Sequence, residues 1–251
     1  MVFKDGRQRI PDVLKGLTAE QFVKKLNTHR SSAQRAKYQR AFKHGEDDEF
    51  MGVGMGRVFA LAKEFIEMPL GEIEKLLESP IHEARVGAVS VMDFQARSKK
   101  TPGARRKELF DLYLRRHDRI NNWDLVDRSA PYVVGGYLFD KPRKILYKLA
   151  HSKNIWERRT AIVSTGYFIR KGDIADTFKI AEILLKDDQD LIHKATGWML
   201  RAAGGIDRQT LLNFLDKHAA TMPRTCLRYA IEHLDQKRRE HYLNLKKDSG
   251  A

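Results

Sequence analysis

The chain has 251 residues, 42% of them hydrophobic and 32% charged, and its 47 Lys and Arg outnumber 33 Asp and Glu to give a formal net charge of +14. This composition fits a folded chain with a sizeable core and excludes long disorder. No apolar run approaches the roughly 18 residues a membrane-spanning helix needs, and MVFKDGRQRI has no apolar stretch behind its charges, so no signal peptide is expected. The charge favours a polyanion: nucleic acid, an anionic membrane surface or an acidic protein. No single basic block dominates, so the positive surface is built by folding. Cys226 is the only cysteine, which rules out an internal disulfide and suits a reducing, cytoplasmic setting. It reads as a packed small hydrophobe.

Apolar spacing is helical almost throughout. In TAEQFVKKL, Thr18 and Gln21 have capping-box spacing, with Phe22 and Leu26 four apart behind them. MGVGMGR (51–57) lacks the Gly-Lys-Ser/Thr of a phosphate-binding loop and follows no strand, so it reads as a flexible turn before a helix. GRVFALAKEFIEM then carries the stripe Val58, Leu61, Ala62 and Phe65, closed by Pro69. LGEIEKLLESP sets Ile73, Leu76 and Leu77 on one face before Ser79-Pro80. Similar stripes follow in RRKELFDLYL, RKILYKLA, ADTFKIAEILL and RQTLLNFLDK, with no alternating run between them. The predicted fold class is all-α.

A repeat is visible within these helices. PIHEARVGAVS (80–90) and NIWERRTAIVS (154–164) align without gaps, pairing Glu83 with Glu157, Arg85 with Arg159 and Ser90 with Ser164. Taking Arg159, Lys194 and Arg228 as equivalent gives spacings of 35 and 34 residues, the period of a HEAT-like α-solenoid of antiparallel helix pairs. Basic residues repeated on its inner helices would line a concave positive surface. The predicted organisation is one solenoid over 1–251, with divergent helices at 1–68, repeats at 69–245 and a disordered tail at 246–251.

Several chemistries find no support. HExxH is absent, because His82-Glu83 leads to Val86, and one cysteine cannot build a thiolate zinc cluster. There is no GxSxG elbow, and neither a metal nor a cofactor is expected. What remains is Trp123 and Asp127, an i, i+4 pair in NNWDLVD that shares one helix face. By composition alone this is a core Trp beside a solvated or ion-paired Asp, with Arg128 or a neighbouring lysine as the partner, or else a site that handles a cation.

NNWDLVD (121–127), NIWERRTAIVS (154–164), HKATGWMLRAAG (193–204) and MPRTCLRYAIEHL (222–234), in that order, resemble the AlkD-type DNA alkylation repair glycosylases over roughly residues 70–245. The resemblance implies a catalytic carboxylate at Asp127, aromatic faces at Trp123 and Trp198, and DNA contacts at Arg159 and Arg201. It extends to Arg85, the repeat equivalent of Arg159, and to Arg224 and Arg228 in the last segment. Gly52-Val53-Gly54-Met55-Gly56 stands where the family usually has Gly-Val-Arg-Val-Pro, so the entry helices differ; Lys37 and Tyr38 in SSAQRAKYQRAFKHG (31–45) are candidates for a DNA-contacting helix there. Trp156 is assigned to packing. The activity implied is hydrolytic excision, by a monomer acting on duplex DNA, of purines alkylated at N3 or N7, without lyase chemistry. A non-catalytic, structure-selective DNA binder and a protein-binding scaffold are the alternatives.

Overall fold

The computed structural model describes residues 17–42 and 48–245. The expectations for MVFKDGRQRI, for the end of SSAQRAKYQRAFKHG and for the tail at 246–251 lie outside the described residues. The chain divides into two compact units, Met1–Leu112 and Tyr113–Ala251. Among the described residues the only β pairing is an isolated parallel bridge between Glu49 and Ile81, and the fold class is all-α.

In the first unit the helices are α1 (Ala19–Asn27), α2 (Ser32–Ala41), α3 (Met55–Glu64), α4 (Leu70–Leu77), α5 (His82–Arg97) and α6 (Gly103–Arg115), the last running across the division. Thr18 caps α1 as its spacing predicts, its Oγ1 accepting from Gln21 N at 3.2 Å. Helix α5 is the centre: α1, α3 and α4 all pack on it, and its side chains from His82 to Asp93 are buried. Gly87 makes this possible, since a Cβ there would lie 2.3 Å from Phe22 Cζ. Phe22 in turn meets Phe65 edge to face, with ring centroids 5.2 Å apart.

The glycine-rich turn before α3 is held firmly, which corrects its reading as flexible. The buried Glu83 carboxylate accepts from the backbone N–H groups of Met51, Gly52 and Val53 at 3.1, 2.7 and 3.1 Å. Gly52 has φ +82°, and a Cβ would lie 2.0 Å from Ser31 O. A carboxylate gathering three amides supplies order that glycine content alone does not reveal.

The second unit holds α7 (Trp123–Ala130), a π-helical turn (Pro131–Gly135), α8 (Gly136–Leu138), α9 (Lys144–Ala150), α10 (Ile155–Arg170), α11 (Ala175–Leu184), α12 (Asp190–Gly204), α13 (Arg208–His218), α14 (Arg224–Ala230) and α15 (Gln236–Asn244). Its stacking is solenoid-like. Helices α7, α10, α12 and α14 are neighbours in that order, while α9, α11 and α13 pack beside them. Close approach in the row depends on missing side chains. A Cβ on Gly135 would lie 2.1 Å from Ser164 O of α10, and one on Gly197 of α12 would lie 2.4 Å from Cys226 O of α14. Cys226 is buried, and burial pushes its thiol up to about 12, as suits a packed residue. The π turn follows from Pro131: lacking an N–H, it cannot continue the α ladder, and Gly136 N–H returns to Pro131 O instead.

Candidate active site

Helix α7 is short and two-faced. Asn122 caps it, its Oδ1 accepting from Trp123 N at 2.9 Å. Leu125, Val126, Ser129 and Ala130 face the core, which turns Trp123 and Asp127 outward. Trp123 is 36% exposed, unusual for so large an apolar side chain. The Asp127 side chain is 20% exposed.

Asp127 is held from α10. Arg159 Nε donates to Oδ1 at 2.9 Å and Nη2 to Oδ2 at 2.8 Å, a parallel two-point grip. The same guanidinium donates through Nη1 to the carbonyl of Leu191 in the first turn of α12. Arg159 is nearly buried at 5% exposure, so α7, α10 and α12 are tied by one side chain. Its neighbour Arg158, rotated about 100° around the helix, binds Asp187 at 2.5 Å and the carbonyls of Ser152 and Lys153. The partner of Asp127 is therefore Arg159; Arg128 and the nearby lysines do not take that place.

Desolvation pushes the Asp127 carboxyl above the ordinary carboxylate value, and the hydrogen bonds and charge of Arg159 pull it part of the way back. Beneath the pair lies a buried polar chain: Tyr113 Oη and His117 Nε2 both meet Thr160 Oγ1, at 3.0 and 3.1 Å. Burial raises the Tyr113 hydroxyl and lowers the His117 imidazole, so both are neutral at pH 7. Nothing in the residue pattern signals this chain, because its members are scattered among apolar stripes. Trp156 is buried beside it at 9% exposure, in the packing role its position suggests.

The remaining residues fall in different settings. Trp198 is half-buried on α12, two turns beyond Leu191 or about 10 Å along the axis. Lys194, one turn before Trp198, pairs with Asp190 at 2.7 Å, and its charge feels both Arg159 and Tyr229. Arg201 is ion-paired with Glu232. Arg224 is exposed and donates to Leu243 O at 2.7 Å, and Arg228 is exposed on α14. In the first unit Lys37 is exposed on α2, but Tyr38 is 8% exposed and donates its hydroxyl to Val53 O at 3.2 Å. Arg85 is 1% exposed and paired with Asp48, whose other oxygen meets His82 Nδ1 at 2.9 Å. Burial thus takes Tyr38 and Arg85 away from any DNA surface. The Arg85–Asp48 pair is the counterpart of Arg159–Asp127 at the position where the repeat aligns the two arginines, a regularity the ungapped alignment hinted at without showing the acid.

A cavity of about 1170 Å³ lies apart from this constellation, lined by Ser152, Arg158, Glu182, Asp187 and His218 among others. Neither Trp123 nor Asp127 lines that cavity. Among the described residues no His, Cys, Asp and Glu cluster could hold a metal ion, and no described helix is long and apolar enough to cross a membrane.

Comparison with known proteins points to one family. The family model described as DNA alkylation repair enzyme matches residues 22–234. A solved structure, described as a predicted DNA alkylation repair enzyme from Enterococcus faecalis, is similar in fold at a TM-score of 0.66 and 18% identity, covering 83% of this chain and 98% of that one. No curated protein matches. With most of its length matched by that one model, the chain belongs to the DNA alkylation repair enzyme family.

Proposed function

We propose that the chain is a monofunctional DNA glycosylase, built of HEAT-like repeats, that acts as a monomer on duplex DNA and excises purines carrying a positive charge from alkylation at N3 or N7. The observation that carries this reading is a partly exposed carboxylate, Asp127, fixed at both oxygens by Arg159 one turn from an exposed Trp123. A cationic purine leaves as a neutral base, so no strong general acid is needed. Charge develops on the sugar, and a fixed anion beside it stabilises the oxocarbenium-like transition state. Arg159 occupies one lone-pair position on each oxygen, leaving about two of the carboxylate's four for the attacking water. Arg159 is then a positioning residue, replacing the direct phosphate contact expected from the resemblance. The Trp123 and Trp198 faces suit a cationic base and the deoxyribose through cation–π and apolar contact. The resemblance implies an aromatic face that reads little shape, which favours varied adducts. Lyase chemistry, which needs a Schiff-base amine, is not proposed: Lys194, one turn from Trp198, is paired with Asp190.

The test is single-turnover release of N7-methylguanine from duplex DNA by the native protein and by Asp127→Asn. Slowing of at least ~100-fold, about 2.7 kcal/mol of barrier, is the expected result. Binding without release by the native protein would sink the excision reading for this lesion and promote the non-catalytic DNA binder.

A further inference from the structure

The C-terminal half of α10 carries a second constellation that the Asp127 centre does not use. Tyr132, in the π turn, meets Tyr167 edge to face at 5.4 Å, and Phe139 meets Tyr167 at 5.7 Å. Three cations cap tyrosine rings here: Arg170 stands 5.2 Å from the Tyr132 centroid, Lys171 5.8 Å from Tyr167 and Lys141 4.7 Å from Tyr137. Arg170 also donates to the Tyr132 hydroxyl. Lys141 pairs with Asp140. Among the described residues no carboxylate pairs with Arg170 or Lys171, and both are exposed. Their direction is set by rings and a hydroxyl, so their charge is oriented without being neutralised.

The backbone explains the assembly. Gly135 lets the π turn press against Ser164 O, and at Gly136 a Cβ would already lie 3.4 Å from the Tyr167 ring. These two glycines bring Tyr132 and Tyr167 within contact. Arg170 follows Arg159 by eleven residues on one helix, a rotation of about 20° from the same stripe and a rise of about 16 Å. The patch therefore continues the face that carries the Asp127–Arg159 pair, well beyond reach of one nucleotide. With the ring faces already covered by cations, base stacking is the poorer fit. Held guanidinium and ammonium groups with tyrosine hydroxyls suit backbone phosphates.

We propose that Tyr132, Tyr167, Arg170 and Lys171 form a second phosphate-backbone contact for the same duplex, remote from the reacting nucleotide. This rests on the reading of the chain as a duplex-DNA protein and adds an anchor to it. The test is the affinity of the full chain for a short undamaged duplex, measured across salt concentrations. The double variant Arg170→Ala, Lys171→Ala is expected to bind more weakly and to show a log–log salt slope shallower by about 1.8, two phosphate contacts at about 0.9 each. The charge-matched control Lys179→Ala, Lys186→Ala, on the exposed side of α11 and just beyond its end, should leave the slope unchanged. An unchanged slope in the patch variant, or an equal change in the control, overturns the proposal whatever the excision assay shows. So does a patch variant that loses only its binding to anionic phosphatidylserine vesicles. A native chain that binds duplex but releases no base defeats the excision reading alone, and the salt slope still decides the patch. A native chain that binds no duplex overturns both.

Discussion

Arg159 and Asp127, 32 residues apart in sequence, meet through two parallel hydrogen bonds of 2.9 and 2.8 Å. This contact gives the outward face of α7 a fixed anion. It also ties that anion to two other helices, because the third donor of the guanidinium is taken by Leu191 O.

Arg159→Ala should destabilise the protein by about 3–5 kcal/mol, the range for removing one partner of a buried ion pair. Denaturant melts of the variant give this directly, and a loss under ~1 kcal/mol would contradict the tie between three helices. Arg159→Lys keeps the charge but loses the planar fork. It should recover part of the stability and less of the base release.

The acid limb of the base-release rate should have its midpoint above 3.8, because the Asp127 carboxyl is raised by desolvation and must be ionised to act. Stability runs the opposite way. The folded state holds this proton more tightly than the unfolded chain, so the contribution of Asp127 is full below the unfolded value and is lost as pH rises through the raised one. A pH–rate profile of single-turnover excision checks the first claim; a midpoint at or below 3.8 would show that Arg159 outweighs burial.

Glu83→Gln should cost about 1.5–3 kcal/mol, the worth of hydrogen bonds to a charged acceptor. Hydrogen exchange at the Gly52 and Val53 amides would accelerate before that of α3, since both N–H groups donate to that carboxylate. Exchange unchanged at those two amides would rule out the carboxylate as the anchor of the turn.

Gly135→Ala places a methyl 2.1 Å from Ser164 O, and backbone cannot give way as a flexible side chain can. A loss of about 1–3 kcal/mol is expected, as for other overpacked contacts. A melting temperature equal to wild type would mean that the π turn can shift away from α10.

Trp123→Ala removes a partly exposed ring and should cost less stability than Arg159→Ala. Base release should nevertheless slow, and normal release would return Trp123 to the status of a surface accident.

Helix type and order were legible because each segment has a 3.6-residue apolar stripe and clear stops. Thr18 and Ser79-Pro80 marked ends that α1 and α4 respect, and Pro69 stands at the N-cap of α4, beyond the end of α3 at Glu64. The outward pairing of Trp123 and Asp127 was also legible, since i, i+4 spacing fixes a shared face. The carboxylate's partner was not. Arg158 and Arg159 carry the same charge in adjacent positions, and which of them turns toward α7 depends on the rotation of α10 in its packing. The roles of Arg85 and Tyr38 were misread for a related reason: a basic or phenolic side chain on a helix stripe looks the same in sequence whether it reaches solvent or finds Asp48 or Val53 O inside. The π turn had one local sign, Pro131 after a helical run, but proline equally often ends a helix.

The three acceptor atoms held by Arg159 also set a schedule for biosynthesis. Asp127 and Arg159 leave the ribosome before the first turn of α12, whose Leu191 carbonyl lies another 32 residues on. A nascent chain ending short of that turn carries the carboxylate and the arginine, yet has nothing to hold the third donor. The full three-helix tie is thus a property of a chain synthesised past the first turn of α12, and only then is every donor that faces the anion or its neighbour engaged.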